Sequence, residues 1–235
     1  MAHTQQLEFI EILAKHMPRF FQNAKVLEIG SLDIHGSIRQ FFDQCRYIGI
    51  DIAEGKGVDL VCQGQEYDAP SDSFDHVVSC ETMEHNPFWK ETFTNMIRLC
   101  RPGGLVSMTC ATTGREEHGT TSVNPGYSPL TIDMGWEYYR NLTVRDFLKS
   151  WDLHELFLHY RFWVNWSSFD LYFAGIKLGS ELTNVDTGGW IKIQNEVDET
   201  MKRYNSSMRS ILYKVIAYIF GDVGYKIGRK IKHLF

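Results

Sequence analysis

The sequence predicts an α/β fold in which helices cover both faces of a mostly parallel sheet of seven strands. Three observations support this prediction. Short apolar runs of strand length alternate with helical patterns, the first run ends in a glycine, and the second ends in an aspartate. Connections between parallel strands are right-handed, so this alternation leaves few topologies open. We expect five parallel strands, then an antiparallel pair, then C-terminal helices.

The first half of the chain supplies the parallel strands. Thr4 caps a predicted first helix that ends before Pro18. A short helix is expected at residues 36–42. Asn86 as N-cap and Pro87 at the first helical position open a longer helix before the fifth strand. The five predicted strands cover residues 25–29, 47–50, 58–62, 74–80 and 105–110.

The second half departs from this rhythm at residues 111–141, which show no clear periodicity. Loops of this length are usually lids or binding loops, so we expect an acceptor-binding loop here. A short helix is predicted at residues 143–150, two strands at 153–160 and 169–178, and helical structure at 190–220. A last helix follows a break at Gly221–Gly224. We expect residues 1–185 to form one domain and residues 186–235 to form a helical appendage with a basic tail.

The composition is typical of a globular protein from a reducing compartment, with 43% hydrophobic and 23% charged residues. The five cysteines include no CxxC pair, so neither a disulfide framework nor a zinc–thiolate site is predicted. The first fifteen residues lack the features of a signal peptide, and no window is apolar enough to span a bilayer. We expect a cytoplasmic protein.

The net charge of −5 is unevenly distributed. Residues 201–235 hold eight Lys or Arg against one Asp, a net +7, so the rest of the chain carries −12. An acidic body argues against a nucleic-acid substrate. The tail combines two apolar helical stripes with basic flanks, which suits peripheral contact with an anionic membrane. Alternatively, the first stripe packs on the domain and the basic helix pairs with the acidic body.

The chemistry begins at the turn after the first strand. Gly30 allows a sharp turn and the close approach of a ligand, and nucleotide-like cofactors bind at this turn in doubly wound sheets. Asp51 ends the second strand, where a carboxylate can accept both ribose hydroxyls of an adenosine. No glycine stands between Gly30 and Gly36, so the GxGxxG pattern is absent and an NAD-dependent oxidoreductase is disfavoured.

Five motifs resemble class I S-adenosylmethionine-dependent methyltransferases in order and spacing. They are Val26-Leu-Glu-Ile-Gly30, Ile48-Gly-Ile-Asp51, Ser73-Phe-Asp-His-Val-Val-Ser79, Glu84-His85 and Leu99-Cys-Arg-Pro-Gly-Gly-Leu105. Within that class the chain is similar to small-molecule and glycan methyltransferases. The resemblance implies a Rossmann-like methyltransferase sheet, S-adenosylmethionine as cofactor, and methyl transfer as the activity.

The resemblance also implies which residues contact the cofactor. Asp51 matches the ribose ligand, and Gln63 and Gly64 stand where the family has Asp-Ala beside the adenine. Asp33 takes the place of part of the family's Gly-x-Gly, next to the methionine ammonium. The full predicted set is Glu28, Gly30, Ser31, Asp33, Asp51, Ile52, Gln63, Gly64, Cys80 and Glu81.

The acceptor is less specified by the sequence. Methylation of an alcohol benefits from a positioned base. His85 and His118 both follow strands at the carboxyl edge of the sheet, and we predict that one of them is this base. Residues predicted to bind the acceptor, a saccharide or other polar small molecule, are Arg115, Tyr138, Tyr139 and Arg140. The alternatives are N- or C-methylation of a metabolite and a catalytically silent binding module.

No metal ligand set is predicted. A site built from His85, His118 and Asp133 stays open, although no ligand spacing in the sequence supports it. The sequence does not indicate an oligomeric state.

Overall fold

The computed structural model describes residues 4–34, 36–179 and 187–232, with side chains up to residue 221. The strands in these ranges are β1 (Lys25–Ile29), β2 (Arg46–Asp51), β3 (Leu60–Val61), β4 (Phe74–Cys80), β5 (Cys100–Ala111), β6 (Phe157–Asn165) and β7 (Asp170–Lys177). They form one sheet in the order β3-β2-β1-β4-β5-β7-β6. Strands β1 to β5 are parallel, and β7 runs antiparallel between β5 and β6. The predicted seven-stranded fold is confirmed.

Helices cover both faces of this sheet. They are α1 (Thr4–His16), α2 (Trp89–Leu99), α3 (Pro129–Asp133), α4 (Val144–Ser150), α5 (Leu153–Leu156), α6 (Thr187–Asn205) and α7 (Met208–Lys232). Helices α1 and α6 contribute to the hydrophobic cluster on one face, and α2 and α4 contribute to the cluster on the other.

Neighbouring residues of β7 show how the sheet divides the core. Successive side chains of a strand point to opposite faces. Tyr172 contacts Phe9 of α1, with ring centroids 5.1 Å apart. Phe173 instead contacts Phe93 of α2 on the other face, at 5.4 Å. Both β7 rings are fully buried, so the sheet is sealed on both sides and ligands reach it from an edge.

The C-terminal helices differ in how they contact the domain. Helix α6 packs against α1 and β6 and buries Trp190, Ile193 and Val197 in the first hydrophobic cluster. Helix α7 is broken at Gly221 (φ 56°, ψ −151°), where the sequence predicts a break. None of the described helices is both long enough and apolar enough to cross a membrane. The domain boundary near residue 185 stays a prediction, although α6 shares the core of the domain.

Several predicted elements have different bounds in the structure. The fifth strand begins at Cys100, and the helical segment predicted at residues 190–220 is divided between α6 and α7. The helix expected at residues 36–42 is a single 3₁₀ turn, Ile38–Phe41, and the third strand is reduced to two residues at the sheet edge. The strand expected at residues 153–160 was placed too early. Asp152 caps the short helix α5 by accepting a hydrogen bond from the His154 amide at 3.1 Å, so β6 begins only at Phe157.

The predicted N-cap of α2 was also wrong by two residues. The helix begins at Trp89, and Asn86 lies in the turn that leads into it. The Asn86 side chain accepts a hydrogen bond from the Phe88 amide at 2.8 Å, which is an Asx turn, and donates to Thr92 at 2.8 Å. The Asn86 side-chain oxygen is therefore used in this turn, and the helix begins three residues later, at Trp89.

Candidate active site

A cleft of about 650 Å³ opens at the carboxyl edge of the sheet. Its walls come from the turns after β1, β2 and β4 and from residues 127–131 of the long loop. In open α/β sheets this edge, outside the strand ends, is where ligands bind.

Gly30 shapes the inner end of the cleft. Its φ of +82° is left-handed, and an added Cβ would lie 1.8 Å from Oγ1 of Thr82. The Gly30 and Ser31 amides both donate to the Ile50 carbonyl, at 2.9 and 3.1 Å. The turn therefore crosses the end of β2 closely and needs a residue without a side chain.

Asp51 directs its carboxylate into the cleft. One oxygen accepts a hydrogen bond from the Leu32 amide at 3.0 Å, and the other accepts from the Ile52 amide at 2.8 Å. Each oxygen keeps a free lone-pair direction, so the group can accept two more hydrogen bonds from a vicinal diol. Burial raises the pKa of Asp51 above its ordinary value. This arrangement fits a ribose.

The predicted cofactor residues divide into two groups. Those that line the cleft are Gly30, Asp51, Ile52, Gly64 and Glu81. The other five predicted residues are not part of the cleft lining: Glu28, Ser31, Asp33, Gln63 and Cys80. Their role toward a cofactor stays a prediction.

Two members of the second group show the difference. Glu28 is buried beneath β2, where it accepts a hydrogen bond from the Tyr47 hydroxyl at 2.6 Å, and burial raises its pKa to about 7. Asp33 pairs with Lys56 at 2.7 Å and accepts from the Gly36 amide at 2.9 Å, and these contacts lower its pKa. The Glu28 contact thus joins β1 to β2, and the Asp33 contacts hold the turn that follows β1.

The sequence assigned the adenine contact to Gln63, but the structure places Gln65 in the cleft wall. The Gln65 side chain donates to Oε1 of Gln63 at 2.7 Å and accepts from Thr92 at 3.3 Å. Gln63 is thus the support of Gln65. Whether Gln63 itself contacts a cofactor stays a prediction, and Gln65 is a cleft residue that the sequence did not single out.

A polar cluster adjoins the cleft at His85, which follows β4 and lines the cleft. His85 is buried, and its ring lies 4.9 Å from that of His118. The ring of Tyr139 contacts both, at 5.4 and 4.9 Å. Nδ1 of His118 is 2.8 Å from the Glu116 carbonyl, which can only accept, so Nδ1 carries the proton and Nε2 keeps its lone pair.

Both imidazoles are neutral at neutral pH. Burial lowers the pKa of His85 to about 3, and the charges of His118 and Arg115 contribute. Burial also lowers the pKa of His118 below its ordinary 6.5. The structure thus brings together the two histidines that the sequence singled out, separated by 33 positions in the chain.

Glu84 belongs to the same cluster, although the sequence assigned it no role. It is fully buried, and Oε1 accepts a hydrogen bond from the Ala111 amide at 3.2 Å. Burial and the nearby charge of Glu81 raise its pKa well above the ordinary value. Its place in the Glu84-His85 motif was the signal available. Asp133, which the sequence grouped with the histidines, is exposed at the end of α3.

The predicted acceptor residues are mostly engaged elsewhere. Arg115 donates to the Ser168 carbonyl at 2.6 Å and lies 3.5 Å from Asp170. Arg140 forms an ion pair with Asp146 of α4. Tyr138 is half-buried, and Tyr139 alone of the four contacts the histidine pair.

Other residues of the same loop line the cleft. They are Tyr127, Ser128, Pro129, Leu130, Thr131 and Trp136. The loop folds into a 3₁₀ turn at Pro125–Tyr127 followed by α3. These short elements bring hydroxyl groups and aromatic rings over the cofactor edge.

Two solved structures share this fold. One is the Burkholderia thailandensis 1,6-didemethyltoxoflavin-N1-methyltransferase with bound 1,6-didemethyltoxoflavin and S-adenosylhomocysteine, with a TM-score of 0.52, 15% identity, and coverage of 75% of this chain and 79% of that one. The other is Haemonchus contortus phosphoethanolamine N-methyltransferase 2 in complex with phosphomonomethylethanolamine and S-adenosylhomocysteine. Its TM-score is 0.51 at 18% identity, with coverage of 97% of this chain and 49% of that one. At these identities the likeness shows the fold.

The family is shown by sequence. A comparison with curated proteins gave no match. Residues 1–172, most of the chain, match the family model described as a methyltransferase domain. The resemblance drawn from the five motifs is confirmed: the chain belongs to the methyltransferase domain family.

Proposed function

We propose that this chain transfers the methyl group of S-adenosylmethionine to a hydroxyl group of a polar, ring-shaped small molecule such as a saccharide. The observation that carries the proposal is one cleft with two chemically different ends. Asp51 and the Gly30 turn form an end suited to a nucleoside, and His85, whose ring contacts that of His118, forms an end suited to an acceptor.

The cofactor end has what S-adenosylmethionine requires. Asp51 would accept the ribose hydroxyls, and Gly30, which lines the cleft, would let the methionine portion lie close to the backbone. Ile52 and Gly64 would contact the adenine from the two sides of the cleft. When bound, the cofactor supplies the activated methyl group on its sulfonium. Both structural neighbours carry S-adenosylhomocysteine, which supports this assignment.

The acceptor end has what an alcohol requires. An oxygen nucleophile must be aligned with the methyl group and must lose its proton. His85 is a poor base because its pKa is about 3. His118 is less buried, and its Nε2 lone pair is fixed by the bond from Nδ1 to the Glu116 carbonyl. His118 is therefore the better candidate to accept the hydroxyl proton.

The loop over the cleft favours a polar ring as the acceptor. Trp136 and Tyr127 present aromatic surface, while Ser128 and Thr131 present hydroxyl groups. Aromatic faces combined with hydrogen-bonding groups suit a saccharide better than an aliphatic tail. Both structural neighbours are named as N-methyltransferases, so an amine acceptor is the competing outcome.

The cofactor assignment predicts the effect of replacing Asp51. Asp51→Ala removes the acceptor of the ribose hydroxyls, and we expect the affinity for S-adenosylhomocysteine to fall by about 1–3 kcal/mol, roughly 5- to 150-fold, in calorimetric titrations. The matched control is Asp68→Ala, whose side chain is 97% exposed and should leave affinity unchanged. Binding of NAD at equal affinity, or wild-type affinity in Asp51→Ala, would contradict the assignment.

The acceptor assignment predicts the outcome of a turnover assay against saccharides, nucleotide sugars, phenols and amines. We expect a hydroxyl acceptor to be methylated, and His118→Ala to lower turnover by about 10²–10⁴-fold with little change in cofactor affinity. The pKa of His118 is lowered, so activity should persist below pH 6.5 and decline only at more acid pH, as the imidazole protonates. The exposed His154→Ala is the control. Turnover with amines alone would refute O-methylation.

A second proposal concerns α7. The expectation that its first apolar stripe packs on the domain was wrong for the described side chains. Leu212 is 56% exposed, Ile219 60% and Phe220 61%. Among the described side chains of α7, Ser210 is buried and the Tyr213 ring lies 5.0 Å from that of Phe169, so the contacts with the domain are near the start of the helix. The stripe thus needs another surface, and the eight basic residues of 201–235 favour an anionic one. We propose that α7 lies on an anionic membrane.

This proposal predicts sedimentation with vesicles. The full chain should pellet with phosphatidylserine-containing liposomes at low salt, and pelleting should weaken at high salt or with phosphatidylcholine alone. Leu212→Asp/Ile219→Asp should abolish pelleting, because charges replace apolar contacts. Leu148→Asp, an exposed leucine on α4, is the matched control. If the intact protein stays in the supernatant, the membrane proposal is wrong.

A further inference from the structure

Three donor groups converge where the turn after β4 meets the long loop. Glu84, His85 and His118 each offer one ligand atom, and these atoms lie within 4.8 Å of one another. Metal–ligand bonds of about 2.0–2.2 Å hold donor atoms roughly 3–3.5 Å apart. Small side-chain rotations therefore suffice to bring all three donors onto one cation.

Two polar atoms in this cluster are buried without a hydrogen bond. Oε2 of Glu84 and Nδ1 of His85 have no partner within the part of the chain that the structure describes. Glu84 is fully buried and His85 is 5% exposed. A buried polar atom without a hydrogen bond is costly, so it calls for a partner that the protein chain does not supply. A bound cation would give the carboxylate oxygen its missing partner.

The surrounding backbone holds these side chains in place. Oε1 of Glu84 accepts from the Ala111 amide, and its carbonyl accepts from the Arg140 amide at 2.8 Å. Gly119, with a φ of +64°, passes so close to His85 that an added Cβ would lie 2.8 Å from the ring. His118 donates from Nδ1 to the Glu116 carbonyl. Metal-binding histidines typically donate their other ring N–H in this way, which fixes the orientation of the ring.

The local charges are compatible with an additional cation. Arg115 is the nearby positive charge, and it already lies 3.5 Å from Asp170 and donates to the Ser168 carbonyl. Glu81 stands next to Glu84 and adds a second carboxylate to the same end of the cleft. Three acidic side chains, those of Glu81, Glu84 and Asp170, therefore lie near one arginine.

The ligand types select the class of metal. Two imidazoles and one carboxylate suit Zn²⁺, Mn²⁺, Fe²⁺ or Co²⁺ better than Mg²⁺ or Ca²⁺, which prefer oxygen ligands. Three protein ligands leave coordination positions open, as in catalytic sites. We infer that Glu84, His85 and His118 bind a divalent transition-metal cation, and that its open positions face the acceptor.

The role of the cation rests on the proposed function, whereas its binding does not. A hydroxyl group bound to the cation would have a lowered pKa and release its proton to water. The oxygen would then form a bond to the methyl carbon as the sulfur–carbon bond breaks, which leaves S-adenosylhomocysteine. His118 would act as a ligand in this case, and the cation would replace it in activating the hydroxyl.

Binding is tested on the untagged full chain after treatment with EDTA and desalting. Titration with ZnSO₄ in a calorimeter should show one site, and CoCl₂ should give visible absorption bands of bound Co²⁺. Glu84→Gln and His118→Ala should each weaken binding at least about tenfold. The exposed His154→Ala should bind as the wild type does. Unchanged affinity for S-adenosylhomocysteine in each variant will show that it is folded.

The outcomes separate the metal site from the methyl transfer. Absence of stoichiometric Zn²⁺ or Co²⁺ binding, or equal binding by Glu84→Gln, overturns the site while leaving methyl transfer unaffected. If Zn²⁺ binds but EDTA does not change turnover of the hydroxyl acceptor, the site stands and its catalytic role is refuted. Loss of turnover in EDTA, with recovery on adding Zn²⁺ or Mn²⁺, supports both.

Discussion

The close approach of Gly30 to Thr82 is the constraint on which the rest of the site depends. The Gly30 and Ser31 amides bond to the Ile50 carbonyl, so the turn after β1 is held against the ends of β2 and β4. This places Asp51 and the turn that follows β4 in the walls of one cleft. A side chain at position 30 would separate the strands whose ends carry the chemistry.

The sequence predicted the parallel sheet and the Gly30–Asp51 pair because both depend on local patterns. An apolar run followed by a glycine or an aspartate defines a strand end, and parallel strands bring their carboxyl ends to one edge. The structure confirms seven strands, five of them parallel and followed by an antiparallel pair. The exact element ends were less predictable, because capping groups such as Asp152 and Asn86 compete for them through single hydrogen bonds.

The sequence could not predict which polar residues share the acceptor end, because the long loop decides this. His85 and His118 could be placed at one edge of the sheet because each follows a strand, but residues 111–141 lack periodicity, so nothing in them indicated that Asp133 would stay exposed. The arginines of the loop fit an acceptor by residue type, but Arg115 and Arg140 pair with Asp170 and Asp146. The partner of Arg115 is distant in sequence, and no local pattern encodes that ion pair.

We propose that S-adenosylmethionine binds between the Gly30 turn and the loop over the cleft. Hydrogen–deuterium exchange with and without S-adenosylhomocysteine measures this at the backbone of each segment. With S-adenosylhomocysteine bound, we expect slower amide exchange in peptides covering residues 30–34, 50–52, 81–85 and 127–136. We expect little change in α6. Protection confined to other segments, or none at saturating S-adenosylhomocysteine, would contradict it.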